Sequence, residues 1–149
     1  MLGKLTSDQI DNLLHSETIG RLGCHGGETT YIVPISYAFK HGSIYIHTIE
    51  GLKIELMREN PNIAFEVDRI RDMNNWQSVV IIGIYKELEG QEADEAIQIL
   101  TRRFMPFNTS ETVPSKYGME KIHLDARSKA TSVVFKIEVL EKSGRYEKS

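Results

Sequence analysis

Two stretches of this chain hold residue types that can do chemistry together. The first is Glu50-Gly51-Leu52-Lys53. A glycine break ahead of a helical stripe offers oriented backbone N–H groups, and Lys53 adds a point charge in the first turn, a pairing that suits a phosphate. The same residues also fit an ordinary turn followed by a solvated lysine. The second stretch is Thr29 to Phe39, TTYIVPISYAF, with Pro34 in mid-run. Proline has no N–H for a ladder, so one edge of this strand must be free there, or face a ligand or a bulge. An edge strand without a ligand satisfies that equally.

Other chemistries find less material. The five histidines, at 15, 25, 41, 47 and 123, lack metal-ligand spacing, and the single cysteine, Cys24, cannot build a thiolate zinc site or an intrachain disulfide. No metal is therefore expected. Ser36 and Ser78 lack a G-x-S-x-G context. There is no G-x-G-x-x-G after a strand and no Walker loop. His47 is a candidate base, although on an exposed strand face a histidine is commonly just polar surface. Trp76 and Tyr37 could stack on a planar ligand, or simply pack.

The elements that must position these residues follow from periodicity. Ser43 to Thr48 alternates Ile44 and Ile46 against Tyr45 and His47, the period of a strand. Glu50-Gly51 breaks it. A helix follows, with Leu52, Leu56 and Met57 (Ile54 less well) on its stripe, and stops at Asn60-Pro61. Upstream, Thr6 or Ser7 caps a helix with stripe Ile10, Leu13, Leu14. Thr18 to Cys24 reads as a strand, with Ile19, Leu22 and either Cys24 or Gly23 competing for the inside, and His25 to Glu28 as a turn. Lys40-His41-Gly42 is a second turn. Downstream, Asn62 to Asp68 alternates, Arg69 to Asn75 is a polar connection, and Trp76 to Leu88 is the most apolar run, interrupted at Gly83 by a bulge or close backbone approach. Glu92 to Phe104 is a helix. Residues 105–129 read as a long irregular loop, Thr131 to Glu141 as the last strand, and Lys142 onward as a polar tail. Strands arranged as hairpins rather than βαβ units predict an α+β, mainly β fold: a six-stranded antiparallel barrel with peripheral helices.

Composition sets the class. The chain has 149 residues, enough for one domain with a real core, and 40% hydrophobic and 26% charged residues. The net charge of −3, with both signs interspersed, excludes the basic face of a nucleic-acid binder. No apolar run approaches the ~18 residues of a membrane span, and the start of the chain lacks an apolar signal segment. A cytoplasmic protein is expected, with neither nucleic acid nor membrane as partner.

Four pieces in order carry a resemblance: IGRLGC with its glycine turn, YIVPISYAF, IYIHTIEGLKIELMRENPNIAFEVD and WQSVVIIGIYKELEG, together spanning Ile19 to Gly90. This run resembles the pyridoxamine 5′-phosphate oxidase-like FMN-binding split-barrel family, nearest its nitroimidazole-resistance branch. The resemblance implies a six-stranded split barrel and an FMN cofactor. It places the phosphate at His47, Thr48, Leu52 and Lys53, and the isoalloxazine along Val33, Pro34, Ile35, Ser36 and Tyr37. It has Ser78 reach the flavin from the neighbouring subunit of a homodimer, with the apolar run 79–84 serving core and interface together. It implies an oxidoreductase passing hydride or electrons from a reduced donor to a small-molecule acceptor. The basic clusters of true pyridoxamine phosphate oxidases are mostly absent, Lys53 being the one clear cation of the phosphate segment. Two alternatives accompany this reading: a haem protein of the same fold, ligated by His25 or His123, and a flavin-binding module without turnover. The length of 105–129, with Phe104, Phe107 and Tyr117, suggests a lid over the flavin.

Overall fold

A computed structural model describes residues 1–105 and 131–149. The lid reading and His123 lie outside them. The described chain runs β1 (Leu2–Lys4), α1 (Ser7–Ser16), β2 (Ile19–Gly26), β3 (Thr29–Ser36), β4 (Ala38–Lys40), β5 (Ser43–Ile49), α2 (Leu52–Glu59), β6 (Asn62–Asp72), β7 (Asn75–Glu87), α3 (Gly90–Phe104) and β8 (Ser132–Glu147). Local chemistry explains most boundaries. Thr6 and Gln9 form a reciprocal capping box that starts α1. Gly27, with φ 56°, opens the two-residue turn between β2 and β3. His41 and Gly42, with φ 54° and 73°, give the β4–β5 hairpin its two left-handed residues.

The sheet is antiparallel throughout, in the order β3-β2-β6-β7-β8-β5-β4, with β1 added along β8. It curls until β3 lies near β5, but no ladder joins them. The result is the expected split barrel, open along one seam. The chain itself crosses the seam at Tyr37. The Tyr37 N–H donates to the Thr18 carbonyl at 3.0 Å and its hydroxyl to the Leu14 carbonyl at 2.7 Å. That crossing divides the single long strand expected over 29–39 into β3 and β4. With β1, which sequence periodicity does not show, the described residues hold eight strands rather than six. The polar tail instead continues β8 to Glu147, because β7 and β1 provide ladder partners on its two edges.

The barrel interior holds Leu22, Cys24, Ile44, Ile46, Ile63, Phe65, Val67, Ile81 and Phe135, closed by Leu13 and Leu14 of α1 and Ile54 and Met57 of α2. Each such side chain, fully buried, contributes on the order of 1.5–3 kcal/mol. Within α2 the stripe differs from expectation. Ile54 is fully buried, whereas Leu52 begins the helix 47% exposed. Separately, α3 sets Ala96, Leu100 and Phe104 against the outside of β4, β5 and β8.

The sheet's other outer surface is uncovered in a single chain. Register places Ile32, Gly23, Ala64 and Ile82 in one row across four strands, and Pro34, Arg21, Glu66 and Val80 in the next. Ile32 is 70% exposed, Ile82 44% and Val80 39%, an apolar sheet face without a cover.

Candidate functional site

The seam is where the chemistry collects. Ile19, Pro34, Ile35, Ser36, His47, Thr48 and Lys53 line an open slot of about 320 Å³ between β3, β5 and the start of α2. One wall is the edge of β3 that pairs with nothing, since its only ladder neighbour is β2. The β2–β3 register runs unbroken through Pro34 opposite Arg21, so the missing N–H of Pro34 falls on the open edge and costs the ladder nothing. The opposite wall is the end of β5, beyond the reach of β4.

The floor is the start of α2. Gly51, its N-cap, provides no side chain, and no side chain caps the first turn. The leading N–H groups of a helix have no intrahelical partners, so this end carries an unspent positive field. Lys53 adds its charge there, and among the described residues it has no ion-pair partner. Burial raises the pKa of the nearby Cys24 thiol, an effect that the Lys53 charge opposes.

His47 is the unusual wall residue. It stands on the face of β5 opposite Ile44 and Ile46, level with Val134 of β8, not on an exposed face. Its Nε2 is buried without a hydrogen-bond partner among the described residues. Burial lowers the imidazole pKa to about 4, so the ring is neutral near pH 7. A neutral imidazole offers one donor and one acceptor nitrogen, and a buried nitrogen without a partner is costly unless a ligand satisfies it.

Of the residues anticipated from sequence, Pro34, Ile35, Ser36, His47, Thr48 and Lys53 converge on this slot. Val33 turns its side chain toward the barrel core, and Leu52 stands at the helix start without lining the slot. Tyr37 is not available for stacking on a ligand. Its ring is fully buried, meets Phe65 edge-on at 5.2 Å and has committed its hydroxyl to Leu14. Ser78 lies strands away on the uncovered sheet face, where it donates to Glu66 at 3.0 Å. Asp68, paired with Arg21 at 3.1 Å, stands beside them. Burial and the adjacent Asp68 raise the Glu66 pKa. Ile19 is the slot residue that sequence reasoning placed among the inward candidates; it is 46% exposed and sits opposite Ser36. His25, one of the two suggested haem ligands, is exposed and bonded through Nδ1 to Thr30 Oγ1 at 2.8 Å.

Known proteins share this fold. An FAD-binding protein of Mesorhizobium loti is 26% identical, superposes with a TM-score of 0.73, and is matched over 98% of both chains. A candidate 5-nitroimidazole antibiotic resistance protein of Bacteroides thetaiotaomicron gives a TM-score of 0.73 at 16% identity, over 98% of this chain and 87% of that one. An uncharacterised protein of Rhizobium meliloti is 24% identical over 141 residues, 95% of this chain and 92% of its own length. The profile of the pyridoxamine 5′-phosphate oxidase family matches residues 6–145, all but the two ends, and the chain belongs to that family.

Proposed function

We propose that this protein is an FMN-binding oxidoreductase that works as a homodimer and passes hydride or electrons from a reduced donor to a small acceptor. One observation carries this reading: the unpaired edge of β3, His47, whose Nε2 is buried without a hydrogen-bond partner among the described residues, and Lys53, in the first turn of a helix that no side chain caps, line one slot. The residues fit a flavin mononucleotide. The α2 N–H groups, Lys53 and Thr48 would hold the phosphate; the edge of β3 over Val33 to Ser36 would carry the ring; His47 Nε2 would receive its missing hydrogen bond. One helix end and one cation match one phosphate, which favours FMN over the diphosphate of FAD. When bound, the flavin supplies the hydride or single-electron chemistry. The chain's own part is to orient the ring, present a neutral rather than charged His47, and shield one face from water.

The slot's size bears on assembly. Ligand sites run from roughly 300 to 1,000 Å³, so a slot of about 320 Å³ covers a flavin only in part. Its Ile19, Pro34 and Ser36 lie on the same uncovered face as Ile32, Val80, Ile82 and Ser78. A second copy seated on that face would close the slot and bring its own Ser78 toward the ligand. Nothing in the described residues favours haem.

The test is an absorbance and fluorescence titration of the protein with FMN beside its Lys53→Ala variant. We expect flavin binding by the parent and a Kd raised by about 10- to 100-fold in the variant, the scale of one charge-assisted hydrogen bond at ~1.5–3 kcal/mol. An unchanged Kd would remove the phosphate seat; a Soret band with haemin and indifference to FMN would replace the cofactor.

A further inference from the structure

Every anion site at a helix start has a potential rival in the chain's own carboxylates. Here the nearest is Glu50, one residue ahead of the N-cap Gly51. A carboxylate in that position is drawn toward the positive end of the helix. With no side chain capping the first turn of α2, Glu50 would have an empty seat to take. It does not take it. Both its oxygens are held by Arg58, from the last turn of the same helix: Nη1 donates to Oε2 at 3.0 Å and Nη2 to Oε1 at 2.8 Å. The guanidinium is aimed from behind. Its Nε donates to Glu87 Oε1 at 2.8 Å, and the Tyr85 hydroxyl donates to the same oxygen at 2.6 Å. Tyr85 is only 7% exposed, so the network is anchored in the barrel wall. Glu55, the acidic residue of the first turn itself, is exposed and does not line the slot.

We infer that Arg58 is a positioning residue that keeps the phosphate seat of α2 open by holding the chain's own competing anion, Glu50, away from it. The inference rests on the FMN reading above. It differs from a plain stabilising role in what it asks of the two partners. A surface ion pair that merely braces the turn is worth roughly 0–1 kcal/mol and needs both members equally. A guard against self-competition needs Arg58 only while Glu50 carries its charge.

The experiment titrates FMN and riboflavin, by flavin fluorescence, into four proteins: the parent, Arg58→Gln, Glu50→Gln and the double variant. Melting curves are recorded for each. Arg58→Gln should weaken FMN about fivefold, the effect of one carboxylate at a helix start, and leave riboflavin unchanged. Glu50→Gln should bind FMN at least as tightly as the parent, and the double variant should recover parental affinity. Should Arg58→Gln fail to melt cooperatively, Glu50→Gln decides by itself, since a fall in its FMN affinity contradicts the guard. Equal losses in both single variants, or no recovery in the double, overturn it in favour of a brace. A parent that binds FMN no better than riboflavin removes the phosphate seat itself, and the inference with it.

Discussion

His47 shows how far one residue can be read. Its place on a strand beside Thr48 is visible in the alternation of SIYIHT, but its burial is not. That burial has a measurable consequence. The imidazole pKa falls from 6.5 to about 4 in the folded chain. Between those values the unfolded chain takes up a proton that the folded chain refuses. Stability contributed by neutral His47 is therefore complete above about pH 6.5 and is lost as the pH falls toward 4. Glu66 acts oppositely, its raised pKa favouring the fold at lower pH. Comparing the parent with His47→Gln cancels that term. We expect the melting temperature of the parent to drop more steeply between pH 6.5 and 4.5 than that of the variant; superimposable pH profiles would show that His47 takes up its proton in the fold as readily as in the unfolded chain. Tyr37 is the counterexample: a plausible stacking residue by type, it was claimed by Leu14 and Phe65.

At the scale of elements, the informative position is Gly83. An interruption in the apolar run 76–88 signals a bulge or a close approach, and both are present. The β7–β8 register shifts between Ile82 and Gly83, and a Cβ on Gly83 would lie 2.6 Å from the Glu138 carbonyl oxygen. That neighbour is backbone and cannot turn aside. Gly83→Ala should cost about 1–3 kcal/mol, as overpacking does, read as a lower urea midpoint at unchanged slope. A midpoint equal to the parent's would mean that the two strands can separate at no cost. The α1 cap and the turns at 27–28 and 41–42 were equally legible, because each depends on residues a few positions apart; the β6–β7 hairpin was not, since Arg69 to Asp72 and Asn75, expected as a polar connection, extend the two strands by pairing across the hairpin. The break between β3 and β4 was not. Nothing in TTYIVPISYAF marks Tyr37 as a crossing; its hydrogen bonds to Thr18 and Leu14 make it one.

For the whole molecule, the open question posed by the fold is what covers the sheet's outer face. The row Ile32, Gly23, Ala64, Ile82 is apolar, and its Ile32 and Ile82 are exposed in a single chain. If a second copy sits there, Ile82→Arg should yield monomers by sedimentation and weaken FMN at the same time, since the slot opens onto that face. A desolvated, unpaired guanidinium in the middle of an interface costs several kcal/mol. An Ile82→Arg protein with the parent's oligomeric state would move the interface elsewhere; a monomeric variant with undiminished FMN affinity would show that one chain completes the site.

The division between local and global information follows from distance along the chain. Strand alternation, the strand–glycine–helix unit around Gly51 and the α1 cap are governed by neighbours within one or two turns, and composition and pattern specified them. That Pro34, His47, Thr48 and Lys53 belong to one site was implied by the family resemblance alone; periodicity left β3 and the Gly51 unit as separate features, and the curl of the sheet brings them together. Which face of each strand is covered, and by what, is decided by partners far away. His47 is opposed by Val134, Arg58 reaches Glu87, and Ser78 finds Glu66 only because β6 and β7 pair in one register. A period of two tells which side chains share a face of a strand; only the closing of the sheet settles whether that face meets core, helix, ligand or water.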